Sequence, residues 1–287
     1  MTKTKFTQLR QPFILTVLGD SNPADLIRTI RISDYDGTDA YELNLMNMDR
    51  RYLNEKDLKA VFRSTLKPIM VCFYRWDYHK HIDIPEEERV RLQIEAVRWG
   101  AAAMDLEGDS FDPIPGPDEW TEAARKYAIT LGSKPRDLSM KPEAIKRQKE
   151  IIAEVHRLGG EVLMSAHTRV RLSVDESVRI AKEMESRGPD MVKVVKVDTS
   201  FEELLDTMRA TVEMKKVLKV PFFMMSHGDH SKIGRVVCPM LGSMLAVATQ
   251  PVSTGGFPLQ PPIRCMKAAL ENIDWSVTKP PEEQRWL

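Results

Sequence analysis

An α/β chain folded as a (β/α)8 barrel is what this sequence predicts, on three observations. About eight short apolar runs recur along it, and stretches with amphipathic helical spacing separate them. Polar residues collect at the far ends of the runs rather than at their starts. A doubly wound open sheet shares the first two features. The third favours the barrel, because the C-terminal ends of barrel strands converge on one mouth, whereas an open sheet spreads them along an edge.

Taken in order, the candidate strands cover residues 12–18, 40–46, 68–74, 101–106, 161–167, 190–197, 221–227 and 244–249. Residues 86–99, 174–186, 201–217 and 262–272 carry the apolar spacing of amphipathic helices. Gly159-Gly160 reads as a helix stop ahead of the fifth strand. The chain, 1–287, is read as a single barrel domain with an insertion between strands 4 and 5. That insertion, 108–160, is long enough for extra helical structure and opens on a Pro-rich excursion from Asp109. A tail, 275–287, is read as an extended segment outside the barrel, and it and the insertion are the candidate contacts of a homodimer.

Composition narrows the function classes. Forty-two basic residues balance 42 acidic ones, so no basic footprint points to nucleic acid or to an anionic membrane. Cys72, Cys238 and Cys265 lack C-x-x-C spacing, which argues against a disulfide framework and a structural zinc site. Residues 1–7 lack the apolar core of a signal peptide, and no later run is long enough to span a bilayer. A cytoplasmic protein acting on a small molecule, without nucleic acid or membrane as partner, is the expectation.

The chemistry-bearing residues fall at the strand ends: Glu42, Asp105, Glu107, His167, Lys193 and His227. Lys193 stands out, an ammonium within the apolar run 190–197. Burial penalises its charge and releases the amine that condenses with a ketone to form a Schiff base. His167 ends the preceding strand, about 4.8 Å away, within reach of a covalent adduct on Lys193. An imine acidifies the neighbouring carbon, and a histidine removes that proton at neutral pH and returns it to a departing hydroxyl. One amine and one base thus suffice for dehydration of a keto acid with no cofactor. Alternation along the strand points Lys193 and Lys196 opposite ways. Lys193→Ala is therefore expected to abolish turnover and Lys196→Ala to leave most of it. The bland alternatives are a strand-end lysine that snorkels to solvent and a hydrogen-bonded barrel histidine.

These segments resemble the type I 3-dehydroquinate dehydratases, Schiff-base (β/α)8 lyases, over about 12–272 with the insertion excluded. Met164-Ser165-Ala166-His167 resembles the family's M-S-x-H strand, and Asp190-Met191-Val192-Lys193 its strand with the imine-forming lysine. The resemblance implies catalytic roles for Lys193 and His167, with Glu42, in Tyr41-Glu42-Leu43-Asn44, orienting or tuning the histidine. It implies that Arg235, in Ile233-Gly234-Arg235, binds a substrate carboxylate, and that Ser253 lies on a covering loop. The chain departs from the family's pattern at three places. Asn44 replaces a second-strand arginine, Phe73-Tyr74-Arg75 replaces Phe-Arg so that Arg75 serves after a one-residue shift, and Phe257 falls where a loop glutamine is expected. Substrate identity is thereby less fixed than reaction class: 3-dehydroquinate, or another cyclic β-hydroxy ketone acid.

A competing reading uses the surplus of imidazole and carboxylate. Glu42, Asp105, Glu107 and His227 have the ligand types of a divalent metal site serving a lyase or hydrolase. His79-Lys80-His81 is the tightest histidine pair but lies in a loop. Alternatively, His227 lines the substrate pocket. A third reading is a scaffold that has lost activity with the departures above, against which the retained Lys193 and His167 argue.

Overall fold

The computed structural model describes residues 4–77, 80–81, 84–112, 138–168, 170–228, 230–253 and 259–273. In chain order the strands are β1 (Phe13–Leu18), β2 (Ala40–Asn44) and β3 (Ile69–Cys72). A two-stranded antiparallel hairpin follows, β4 (Trp76–Asp77) with β5 (Lys80–His81). The remaining strands are β6 (Ala103–Glu107), β7 (Glu161–His167), β8 (Met191–Val197), β9 (Phe222–His227) and β10 (Leu245–Thr249). The hairpin apart, these form one parallel eight-stranded sheet in the order β10-β1-β2-β3-β6-β7-β8-β9. The Met244 N–H donates to the Phe222 carbonyl at 2.7 Å and the Met224 N–H to Ser243 Oγ at 3.2 Å, so the sheet's edges meet. The result is the expected (β/α)8 barrel, every main strand within a few residues of its predicted position.

Around it pack α1 (Pro23–Asp36), α2 (Glu55–Phe62), α3 (Glu86–Trp99), α4 (Pro142–Arg157), α5 (Val174–Glu185), α6 (Phe201–Val217), α7 (Ser231–Leu241) and α8 (Ile263–Ile273). Their starts are written in capping chemistry. Asn22, Asn54 and Ser200 accept from the backbone N–H three residues on, and Ser173 with Glu176 closes a capping box. Gly159, at φ +78°, follows the end of α4 as the stop signal predicted. α1, α2, α4 and α7 were not among the helices read from apolar spacing, α4 falling in the insertion read only as long enough for extra helical structure. α1 buries Thr29 and Ser33 beside Leu26 and Ile30, and α2 buries only Leu58 and Val61, so neither carries a full apolar stripe. Of the connection 108–160, α4 fills the second half; residues 113–137, like the tail from 274, lie outside the described residues.

Strand alternation divides the core into two layers. Phe13, Leu15, Met70, Leu163, Met191, Phe223, Leu245 and Val247 point inward and fill the barrel. Leu43, Val71, Met104, Met164, Val192 and Met224 point outward against the helices. At the N-terminal ends of the strands, Phe6 joins the inner layer with no exposed surface, its ring 6.1 Å from that of Phe13. The Phe6 N–H and the Thr7 hydroxyl both donate to the carboxylate of Glu161, where β7 begins, and this closes the barrel floor.

Lys196 belongs to the outer layer, opposite to Lys193 as the alternation requires. It is nonetheless buried: its Nζ lies 3.0 Å from Asp198, whose other oxygen accepts from Thr207 Oγ1 at 2.7 Å. Lys196→Ala leaves a buried carboxylate uncompensated, which costs about 3–5 kcal/mol. At roughly 2–4 °C per kcal/mol, its melting temperature, measured by circular dichroism, should fall by about 6–20 °C. Turnover per folded molecule should stay near wild type.

Candidate active site

On the inner faces of β2, β3, β6 and β7 apolar residues lie low in the barrel and polar ones above. Ala40 gives way to Glu42 and Asn44, Met70 to Cys72, Ala103 to Asp105 and Glu107, Leu163 to Ser165 and His167. Continued past the end of β3, the same alternation carries Tyr74 inward. Met191 lies below Lys193 on β8, and strand register sets Ser165 beside Lys193 and His167 beside Val195.

Lys193 Nζ donates to Tyr74 Oη at 2.8 Å and lies 3.4 Å from Asp105 Oδ2 and 3.8 Å from Glu42 Oε2. Asp105 in turn accepts from Tyr74 Oη at 2.7 Å and from Ser165 Oγ at 2.5 Å. Burial disfavours a charge on the Lys193 amine and the two flanking carboxylates favour it. The snorkelling alternative fails because the side chain is almost wholly enclosed. Burial, reinforced by Asp105, Cys72 and Glu42, holds the Tyr74 phenol well above its ordinary range, so it stays protonated. Burial likewise pushes the Cys72 thiol up; it is neutral and donates to Asn44 Oδ1.

His167 sits one inner layer above Lys193, about 6–7 Å further along the strand direction. Its ring meets that of Tyr74 edge-on at 4.7 Å between centroids. Glu42, expected beside the histidine, is placed against Lys193. His227 ends β9 on the inward face of Phe223 and Met225. Arg235, from the first turns of α7, is buried and reaches the thioether of Met225 at 3.8 Å. Ser253 donates to Asp20 at 3.2 Å, which ties the loop after β10 to the end of β1. Phe257 lies outside the described residues, as does His79.

Arg75 departs from expectation. Its guanidinium turns to α3 and the loop after β6, pairing with Glu86 at 3.0 Å, with Glu107 at 3.6 Å and with Asp109. Tyr74 occupies the mouth instead. Arg89, with no exposed surface, completes this network through Glu107 at 2.9 Å, Glu86 at 2.8 Å and the Phe73 carbonyl at 2.6 Å. The metal reading loses its ligands here, since Glu107 is engaged by two guanidiniums and Asp105 by Tyr74, Ser165 and Lys193. Among the described residues no group of three or more His, Cys, Asp or Glu side chains is arranged to hold a metal ion.

A model of the type I 3-dehydroquinase family matches residues 14–275. The chain belongs to the type I 3-dehydroquinase family. Among curated proteins, this dehydroquinase-family chain is 30% identical over 126 residues to a 3-dehydroquinate dehydratase of Lactiplantibacillus plantarum, covering 44% of the chain and 49% of that protein. It is 28% identical over 143 residues to one from Aromatoleum aromaticum, covering 49% and 53%. The chain thus spans about half the length of the curated relatives it matches. Its fold is that of the 3-dehydroquinate dehydratase from Geobacillus kaustophilus, with TM-score 0.74 at 17% identity over 96% of this chain and 97% of that one. A type I enzyme from Clostridium difficile gives TM-score 0.70 at 18% identity, covering 95% and 96%. Within this dehydroquinase frame the residues least legible beforehand are Tyr74 and Asp105 as partners of Lys193. Inward parity after Met70 and Cys72 was the available signal for Tyr74.

Proposed function

We propose that this chain is a Schiff-base lyase that dehydrates 3-dehydroquinate to 3-dehydroshikimate, or performs the same elimination on a related cyclic β-hydroxy ketone acid. The observation that carries this is a lysine amine enclosed at the barrel mouth, one inner layer below a histidine, in a chain of the dehydroquinase family. Lys193 forms the imine. The iminium draws electrons from the adjacent carbon, His167 takes that carbon's proton, and the resulting imidazolium protonates the β-hydroxyl, which leaves as water. Glu42 lies where it steadies the positive charge at nitrogen. Arg235 pairs with the substrate carboxylate, and Ser253, with Phe257 beyond it, contributes to the cover. Asn44 and His227 line the walls.

Intact-mass analysis after borohydride reduction with 3-dehydroquinate tests the reading. One reduced adduct, mapped to Lys193, is the expected result; no adduct, or one on another lysine, overturns it. His167→Ala should still trap substrate on Lys193 while kcat falls by about 10²- to 10⁴-fold, as read by absorbance of the conjugated product.

A further inference from the structure

An ammonium cannot attack a carbonyl. If Lys193 rests charged between Glu42 and Asp105, imine formation requires a route for its proton, and the geometry supplies one. Nζ donates to Tyr74 Oη at 2.8 Å, and that hydroxyl already donates to Asp105 Oδ2 at 2.7 Å. The direct path from Nζ to Asp105 is longer, 3.4 Å. Ser165 Oγ holds the far oxygen of Asp105 at 2.5 Å and so fixes the carboxylate's orientation toward the phenol. Glu42 and Cys72 also face this group from β2 and β3, and His167 meets the Tyr74 ring edge one layer higher.

We propose that Tyr74 and Asp105 form the proton relay that makes and unmakes the imine on Lys193, which leaves His167 for the carbon-bound proton. The proposal rests on the Schiff-base reading above and assigns a step within it.

In the forward direction, one Nζ proton passes to Tyr74 Oη as the phenol proton passes to Asp105. The freed lone pair forms the N–C bond, and the carbonyl electrons move onto oxygen, which takes a second proton from nitrogen to give a neutral carbinolamine. Asp105 then returns its proton through Tyr74 to that hydroxyl. The C–O bond breaks, water leaves, and the nitrogen lone pair closes the C=N bond. One ammonium and one carbonyl become one iminium and one water, with Asp105 again a carboxylate. The tyrosine works as a conduit that is never left ionised, in keeping with a phenol whose burial strongly disfavours the phenolate.

Single-turnover mixing with 3-dehydroquinate, quenched into borohydride at increasing times and read by intact mass, measures the rate at which the adduct on Lys193 appears. Tyr74→Phe should slow that rate by about 10²-fold or more while reaching a similar final extent. His167→Ala should form adduct at close to the wild-type rate without releasing product. Incorporating 3,5-difluorotyrosine at position 74, which keeps the oxygen in place, should recover most of the rate that phenylalanine loses. That variant also controls for any failure of Tyr74→Phe to fold. Trapping by Tyr74→Phe at the wild-type rate would overturn the relay, as would a His167→Ala defect in adduct formation equal to that of Tyr74→Phe. Absence of any adduct in the wild-type protein would instead remove the Schiff-base reading itself, and the relay with it.

Discussion

Lys193→Ala is expected to lower kcat by about 10⁴-fold or more and to abolish borohydride trapping altogether. The other lysine of the same strand, Lys196, three residues on, faces the helices and is engaged with Asp198. A second effect accompanies the first. Lys193 offsets two carboxylates, Glu42 at 3.8 Å and Asp105 at 3.4 Å, and its removal leaves them confronting one another in a nearly dry mouth. A loss of about 3–5 kcal/mol is expected in urea unfolding at neutral pH. Wild-type trapping stoichiometry in the alanine variant would refute the assignment.

Arg89→Ala is expected to be strongly destabilising although it lies away from the chemistry. This guanidinium has no exposed surface and holds Glu107, Glu86, the Phe73 carbonyl and Ser110. Truncation removes the nearer of the two guanidiniums that engage the buried Glu107 and opens a void, so a loss of about 3–5 kcal/mol and a melting temperature lower by roughly 6–20 °C should follow. The network also sets a pH dependence. Burial pushes the Glu86 carboxyl up, but Arg89, Arg75 and the Phe111 N–H outweigh it and bring it down to about 2 from 4.5. A carboxyl depressed by folding contributes stability above its unfolded value, and that contribution is lost as pH falls through the folded one. The wild-type advantage over Arg89→Ala should therefore shrink between pH 4.5 and 2. A constant gap across that window would place the stabilisation elsewhere. Because Phe73 directly precedes Tyr74, loosening here should also reach the mouth and reduce kcat in the folded variant.

The strands were the most legible part of the fold, for a physical reason. β7 and β8 are apolar runs bounded by Gly-Gly and by the Gly188-Pro189 break, and a lysine inside such a run is costly enough to signal its own importance. α1 and α2 were not legible, since each half-buried face is completed by threonine and serine or by a mere two apolar residues. At the site, Lys193 and His167 could be read along the chain because each is visible within its own strand. The Tyr74–Asp105 pair could not, because the two residues lie 31 positions apart and meet only because β3 and β6 are neighbours in the sheet. Arg75 misled for a related reason. A one-residue shift at a strand end flips a side chain to the opposite side, so the residue of the familiar type was on the wrong face and the unfamiliar neighbour on the right one.

Phe6, Thr7 and Glu161 make the barrel a cup rather than a tube. Under the proposed Schiff-base chemistry, substrate and product share the route past the strand tips, and the water expelled when an imine forms leaves by the same door through which the hydrolytic water later enters. On that reading, residues around the rim, Ser253 and Asp20 among them, are where product departure would be tuned.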